Sequence, residues 1–337
     1  MTWYLVECLG LSSMSIVAKD GVRKEWVSIF RIERDEGVDA VGALNWARSS
    51  GSHLDQRMSG RFGDRRIEIV PILGPEDDVY AMHLWIGDPS TDAPKPRPAA
   101  GLRWNLGELQ VQQRLESWLM STNDASAWKG IRSPGEIFRK VLRFDDIPQL
   151  IEIANSPTPD AQFESSLCIL HDDGHLMNWQ IMARGRNDER HVGVRALTHD
   201  VTDIEPPVVG PFETLRLTNE DITDGPAAAL LAFGARSSPP TISSWIGKVP
   251  TWIDWQRDGD PALIHPDSWP ALRRTQALLE PACPTIEMTT RARIRANTDT
   301  GWQTVDITSR RYPGEVGRIL HIIRITKADD NSNPQQP

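Results

Sequence analysis

The sequence predicts an α+β protein of three tandem domains, each an antiparallel sheet with helices on its faces. Three observations carry that expectation. Two proline-rich runs divide the 337 residues into blocks of roughly 90–120 residues, the usual size of a domain. Every block mixes strand-like alternation with helical patterning. The second and third blocks also repeat a set of residues at nearly constant spacing.

The first break, residues 88–98, holds four prolines among small and charged residues, which suits an extended connector and neither a helix nor a central strand. The second, residues 204–211, has the same character. Domains are therefore expected over 1–90, 99–205 and 211–328, with a disordered tail over 329–337, where apolar periodicity ends.

In the first block, residues 15–18 and 26–32 read as strands around Lys19-Asp20-Gly21, an Asp-Gly hairpin signal. Residues 38–48 read as a helix. Residues 67–73 and 79–86 read as two further strands joined by the turn at 74–78. The second block opens with an expected helix over 102–120, because Trp104, Val111 and Trp118 recur every seven residues with Leu115 on the same stripe. It suits an interdomain or dimer helix, or a helix packing on its own sheet; Glu108 interrupts the seam and favours the latter.

The repeat aligns Asp145, Pro148 and Leu150 with Asp267, Pro270 and Leu272. From Asp145 to Trp179 is 34 positions and from Asp267 to Trp302 is 35, and a glutamine follows each tryptophan. A polar turn precedes both, Asp172-Asp173-Gly174 in one copy and Asp299-Thr300-Gly301 in the other, and a last strand starts near Gly193 and Gly317. Each copy thus reads as a helix with an acidic start and proline in its first turn, followed by three antiparallel strands. Trp179 and Trp302 are expected at matching strand positions.

Composition narrows the function. A charged fraction of 25% and an apolar fraction of 39% fit neither a disordered chain nor a membrane protein. The net charge of −9 has the wrong sign for a duplex nucleic-acid binder. The N-terminus shows no secretory pattern and no apolar run reaches the ~20 residues of a bilayer span, so a cytoplasmic location is expected. Cys8, Cys168 and Cys283 are too far apart for a zinc or redox pair and read as reduced, buried thiols.

Arg143-Phe144-Asp145-Asp146, Phe163-Glu164, His171-Asp172-Asp173-Gly174 with Trp179, and Thr198-His199-Asp200-Val201-Thr202-Asp203 together resemble the second half of a PAS sensory domain. Ile264-His265-Pro266-Asp267, Gly301-Trp302 and residues 322–326 resemble the same pattern, with Arg324 where a terminal Asp is usual. The first block resembles PAS or the related GAF fold. As a whole, residues 1–328 resemble actinobacterial cytoplasmic proteins with a PAS-GAF-PAS arrangement. That family's middle unit is GAF, whereas the residues here are PAS-like, so the first and middle domains stay open between the two. The resemblance implies a pocket between sheet and helices for a small ligand.

No catalytic residues and no metal or cofactor site are expected. No cysteine sits in a flavin-adduct context, and His171 and His175, flanking the Asp-Gly turn, are expected to face solvent. His265-Pro266-Asp267 looks like a chaperone-stimulating tripeptide, but it begins the repeat's helix and reads as structural. Phosphate loops, nucleophile elbows and output-domain signatures are missing. Tryptophan is over-represented, with 13 against 3 tyrosines. Trp245, Trp252, Trp255 and Trp269 are candidates for a ligand pocket or an interface, or they fill the gap between helices and sheet. Asp200 and Thr202 are candidates for coupling the middle sheet to the linker after it.

The expected function is a non-enzymatic sensory or signal-transduction protein that binds an unidentified small ligand, a partner protein, or both. The chain ends soon after the third sheet, so output through a partner protein or a homodimer is expected, with neither nucleic acid nor membrane involved. The rival readings are a hydrolase acting on a nucleotide-like substrate and a structural adaptor whose pockets are filled by its own side chains.

Overall fold

Asp20 and Gly21 both hold positive φ, 50° and 85°, the conformation a two-residue hairpin requires. They turn β2 (Ser15–Lys19) into β3 (Val22–Ser28), as the Asp-Gly signal predicts. The computed structural model describes residues 2–105, 110–159, 161–209, 225–235, 238–246, 249–255, 262–280, 286–298 and 300–328. These residues build an α+β architecture of three antiparallel sheets with few helices. Among them no helix is long and apolar enough to cross a membrane.

The first sheet comprises β1 (Thr2–Glu7), β2, β3, β4 (Leu54–Gly60), β5 (Gly63–Leu73) and β6 (Val79–Gly87), with α1 (Arg31–Glu36) and α2 (Val41–Ser50) inserted after β3. The middle sheet comprises β7 (Ala99–Asn105), β8 (Gln110–Gln113), β9 (Ile131–Arg132), β10 (Val141–Arg143), β11 (Gln162–Leu170), β12 (Leu176–Asp188) and β13 (His191–Asp200). Its helices are α3 (Leu115–Leu119), α4 (Pro134–Ile137) and α5 (Ile147–Asn155). The third sheet comprises β14 (Ala227–Ala232), β15 (Thr241–Ile246), β16 (Glu287–Arg295), β17 (Trp302–Arg311) and β18 (Leu320–Lys327), with α6 (Trp269–Leu279) between β15 and β16.

All three share one strand order. It reads β2-β1-β6-β5-β4 in the first, β8-β7-β13-β12-β11 in the middle and β15-β14-β18-β17-β16 in the third, with β3, β9 and β10 added at edges. The repeat lies within that order. Pro148 and Pro270 sit in the first turns of α5 and α6, where a missing amide donor costs little, and Leu150 and Leu272 are both core residues.

The strand expected over 26–32 ends at Ser28, and Arg31 and Ile32 open α1 instead. Two further expectations fail. Residues 102–105 and 110–113 lie in paired antiparallel strands rather than a helix: Trp104 lies directly opposite Val111 across β7 and β8, so the seven-residue recurrence comes from cross-strand pairing. Only α3 is helical in that stretch, and no long interdomain or dimer helix exists among the described residues. Trp179 and Trp302 also do not match. Trp302 opens β17 opposite Arg295, whereas Trp179 stands three residues inside β12, and an odd offset puts a side chain on the other face. Trp179 belongs to the middle core; Trp302 packs instead against His265 and under the Arg295 guanidinium. Residues 210–211 of the second break, Cys283, Asp299 and the tail at 329–337 lie outside the described residues.

The sheets are stacked. On the first sheet, α1 and α2 cover one face with Ile32, Leu44 and Ala47. Its other face packs Leu5, Val17, Tyr80 and Ala81 against Met182 and Leu197 of the middle sheet. A buried ion pair, Arg184 to Glu7 at 2.8 Å, and a hydrogen bond from Gln180 Nε2 to the Gly21 carbonyl cross the same junction. On the opposite side of the middle unit, Phe138, Leu150 and Ile151 share one apolar cluster with Leu230, Ala232 and Leu320 of the third. The middle sheet's back therefore meets the first unit, and its helical layer meets the third.

Candidate functional site

The middle unit encloses an apolar cavity between its sheet and its helices. Alternation along β12 aims Trp179 and Ile181 into it, β13 supplies Val194, Ala196 and Thr198, and β7 and β8 supply Leu102, Trp104 and Val111. Two short helical segments form the lid. The α4 start is fixed by a capping box: Ser133 Oγ accepts from Glu136 N at 3.3 Å while Glu136 Oε2 accepts from Ser133 N at 3.1 Å. This places Ile137 and Phe138 over the cavity. Helix α5 buries Ile147, Leu150, Ile151 and Ala154, the i, i+3, i+4, i+7 stripe of a helix lying on a core, and Leu150 reaches the cavity wall.

The cavity measures about 50 Å³ and no charged side chain lines it. Its polar groups are few. Thr198 Oγ1 donates to the Ala100 carbonyl at 3.2 Å. The indole Nε1 atoms of Trp104 and Trp179 are buried and have no hydrogen-bond partner among the described residues, and a buried donor left unpaired costs about 1–3 kcal/mol. Its described lining is apolar apart from the Thr198 hydroxyl and the indole N–H groups, a chemistry that suits a small neutral molecule presenting an acceptor. Known ligand pockets run to about 300–1,000 Å³, so anything larger than a few atoms requires the lid to shift.

A second cleft of about 590 Å³ lies between the first and middle units, lined by Cys8, Arg48, Asp78, Arg186, Asp188 and Arg195 among others. Three of its arginines are engaged. Arg48 donates to the Gly10 and Leu11 carbonyls at 2.8 and 2.9 Å, Arg186 pairs with Asp188, and Arg195 pairs with Asp78 at 2.7 Å. Burial pushes the Cys8 thiol up to about 12, which keeps it protonated and a poor nucleophile at neutral pH. Nearby, burial lowers His83 to about 4, and burial with neighbouring His83 lowers His199 to about 3. Both rings stay neutral inside the junction, with centroids 6.3 Å apart.

The four candidate tryptophans come together in the third core. Trp245 is buried, its ring edge-on to Trp255 at 6.3 Å, while Trp252, Trp255 and Trp269 pack around the same cluster half-buried. Trp269 Nε1 donates to the Ile264 carbonyl. None of them lines the middle cavity. Trp245 also meets the neighbouring unit: a Cβ added at Gly135 of α4 would stand 3.2 Å from its Nε1. Asp200 and Thr202 close the end of β13 in a local turn, with Asp200 Oδ1 accepting from Thr202 N and Oγ1, and Thr202 Oγ1 accepting from Asn178 N. Asp200 N donates to the Pro98 carbonyl in the first linker.

Of the two histidines of the β11–β12 turn, His175 is exposed as expected and His171 is not. His171 is buried, not solvent-facing, and its ring stacks on the half-exposed His175 at 4.4 Å. The sequence drew attention to Trp104, Val111, Leu150, Trp179 and Thr198 for other reasons and to none of them as a cavity wall; the available signal was the alternation Met177, Trp179, Ile181, Ala183 along one strand.

Residues 2–95 match the family model described as Rv3651-like, N-terminal. No curated protein matches the sequence. A crystal structure of an uncharacterized protein from Mycobacterium tuberculosis superposes over 97% of this chain and 96% of its own, with a TM-score of 0.76 at 17% identity. That likeness shows a shared fold across all three sheets. A structure described as an RNA-binding Light-Oxygen-Voltage receptor aligns over 67% of this chain and 94% of its own at 10% identity, with a TM-score of 0.26, which is too low to carry an argument.

Proposed function

We propose that this protein is a non-enzymatic sensory or signal-transduction protein of the PAS/GAF type, built as a PAS-GAF-PAS tridomain, whose middle domain binds a small neutral ligand. The observation that carries this reading is the pair of unpartnered indole donors, Trp104 Nε1 and Trp179 Nε1, on residues that line an otherwise apolar cavity. A carbonyl or ether oxygen on an apolar body would satisfy one or both, and relief of an unpaired buried donor gives the ligand its orientation. The lid supplies the relay. Ile137 and Phe138 cover the cavity, and α4, on which Ile137 lies, abuts Trp245 of the third unit. A ligand that lifts the lid therefore changes the surface between the middle and third domains, and output passes to a partner protein or a second copy.

The test uses the full chain with ¹⁵N-labelled indoles, titrated with acetophenone and octanamide as neutral acceptor-bearing probes, alongside native mass spectrometry of protein from its own host. Retained small-molecule mass and saturable shifts of the Trp104 and Trp179 indole signals, absent in Trp104→Phe and Trp179→Phe respectively, are expected. No retained mass and no indole shift would overturn the ligand reading. The small size of the cavity favours one alternative in that event, a structural adaptor with a self-filled core.

A further inference from the structure

The turn between β11 and β12 gathers His171, Asp173 and His175 so that one donor atom from each lies within 4.8 Å of the others. The backbone fixes this geometry. His171 N donates to the His175 carbonyl at 2.9 Å, Gly174 N donates to the His171 carbonyl at 2.9 Å, and Gly174 takes φ 94°, a value that favours glycine. Asp173 Oδ1 then stands 2.9 Å from His171 Nδ1 and 2.5 Å from His175 Nδ1. Asp173 N also approaches His171 Nδ1 at 3.2 Å, the contact of a donor with a ring lone pair. A ring nitrogen and a carboxylate oxygen at that range need a shared proton or a cation between them. The turn is anchored from outside: Lys140 Nζ pairs with Asp172 at 2.8 Å, and Asp172 N donates to the Ser121 carbonyl.

We propose that His171, Asp173 and His175 form a site for a borderline divalent transition metal such as Zn²⁺. Two imidazoles with one carboxylate are the donor set of zinc, nickel or copper and not of calcium or magnesium. Tetrahedral zinc at about 2.0–2.1 Å places its donors roughly 3.3 Å apart. The three atoms already lie within 4.8 Å of one another, and the half-exposed His175 ring, now stacked on His171 at 22°, turns so that both ring lone pairs converge on the ion. The half-exposed His175 and Asp173 leave the remaining coordination position to solvent. The ion replaces the protons that otherwise separate the rings from the carboxylate, so binding releases protons and weakens in acid.

The experiment is isothermal titration of Zn²⁺ into the full-length, tag-free, chelator-stripped protein, paired with ¹⁵N spectra of the histidine rings and repeated with Ca²⁺. One equivalent of Zn²⁺ is expected, with the Nδ1 signals of His171 and His175 moving on binding and no response to Ca²⁺. His175→Ala and Asp173→Asn, both on half-exposed side chains, should each weaken Zn²⁺ by more than about tenfold, while His53→Ala in the first unit should not. His171→Ala is the stricter variant, and the other two keep the proposal falsifiable if it fails to fold. Absence of stoichiometric binding, unchanged affinity in His175→Ala and Asp173→Asn, or ring signals that move at other histidines would overturn the proposal.

Discussion

The middle and third units start from the same plan and differ in what covers the back of the sheet. Both order their strands second, first, fifth, fourth, third, and both lay a helix begun by proline across the front with Leu150 or Leu272 beneath it. The back of the middle sheet is closed by the first unit, so β12 is buried almost throughout, with Gln180, Met182 and Arg184 inside. The equivalent face on β16 and β17 is open, and exposed polar pairs occupy it: Arg291 with Asp306 at 3.1 Å, and Thr289 with Thr308. A sheet covered on both faces reads as a continuous apolar run, whereas one open to water alternates. Divergence between copies thus follows docking, while the helix side stays common.

Substitutions can break that contrast. The largest effect is expected at Glu7→Ala, which strands the buried Arg184 charge between the first and middle sheets; losing one partner of a buried pair costs about 3–5 kcal/mol, read as a drop in chemical-denaturation stability. Leu150→Ala and Leu272→Ala should cost similar amounts, about 2–5 kcal/mol each, and unequal losses would show that the two fronts are not equivalent. Acid should open the first junction. His83 has its value lowered from 6.5 to about 4 by burial, so the fold holds the neutral ring while the unfolded chain takes a proton. Stability is then full above about pH 6.5 and falls as the pH drops toward 4, by on the order of 3 kcal/mol for that ring. His83→Leu should flatten this acid limb in denaturation midpoints measured between pH 7.5 and 4.5. Asp200→Ala removes the acceptor that closes β13 and should cost about 1 kcal/mol, seen as faster hydrogen exchange at Thr202 and its neighbours. Asp306→Ala on the open back should cost less than about 1 kcal/mol.

Local signals in the sequence proved the most informative. The Asp-Gly hairpin, the strands on either side of residues 74–78 and the proline-started helices depend on neighbours a few residues apart. The run of residues 79–86 was legible as a strand, and its lack of alternation records burial on both faces. Trp104 and Val111 misled because antiparallel pairing also brings residues seven apart together, and periodicity alone does not tell a stripe from a cross-strand pair. Trp302 misled through parity, since a small difference in turn length moves a residue to the other face. The cavity was mostly hidden because its wall comes from six strands and the helical segments between them. His171 was misjudged because its burial comes from long-range packing rather than from the turn it borders.

Stacking through the middle unit sets an order of events on the ribosome. The first unit's strands are complete at Gly87, yet Leu5, Val17 and Tyr80 have no cover until β12 and β13, ending at Asp200, have emerged. At common elongation speeds that interval is on the order of ten seconds, during which a nascent chain carries a sticky, already folded face. A fragment cut after the first unit should self-associate more readily than the whole polypeptide.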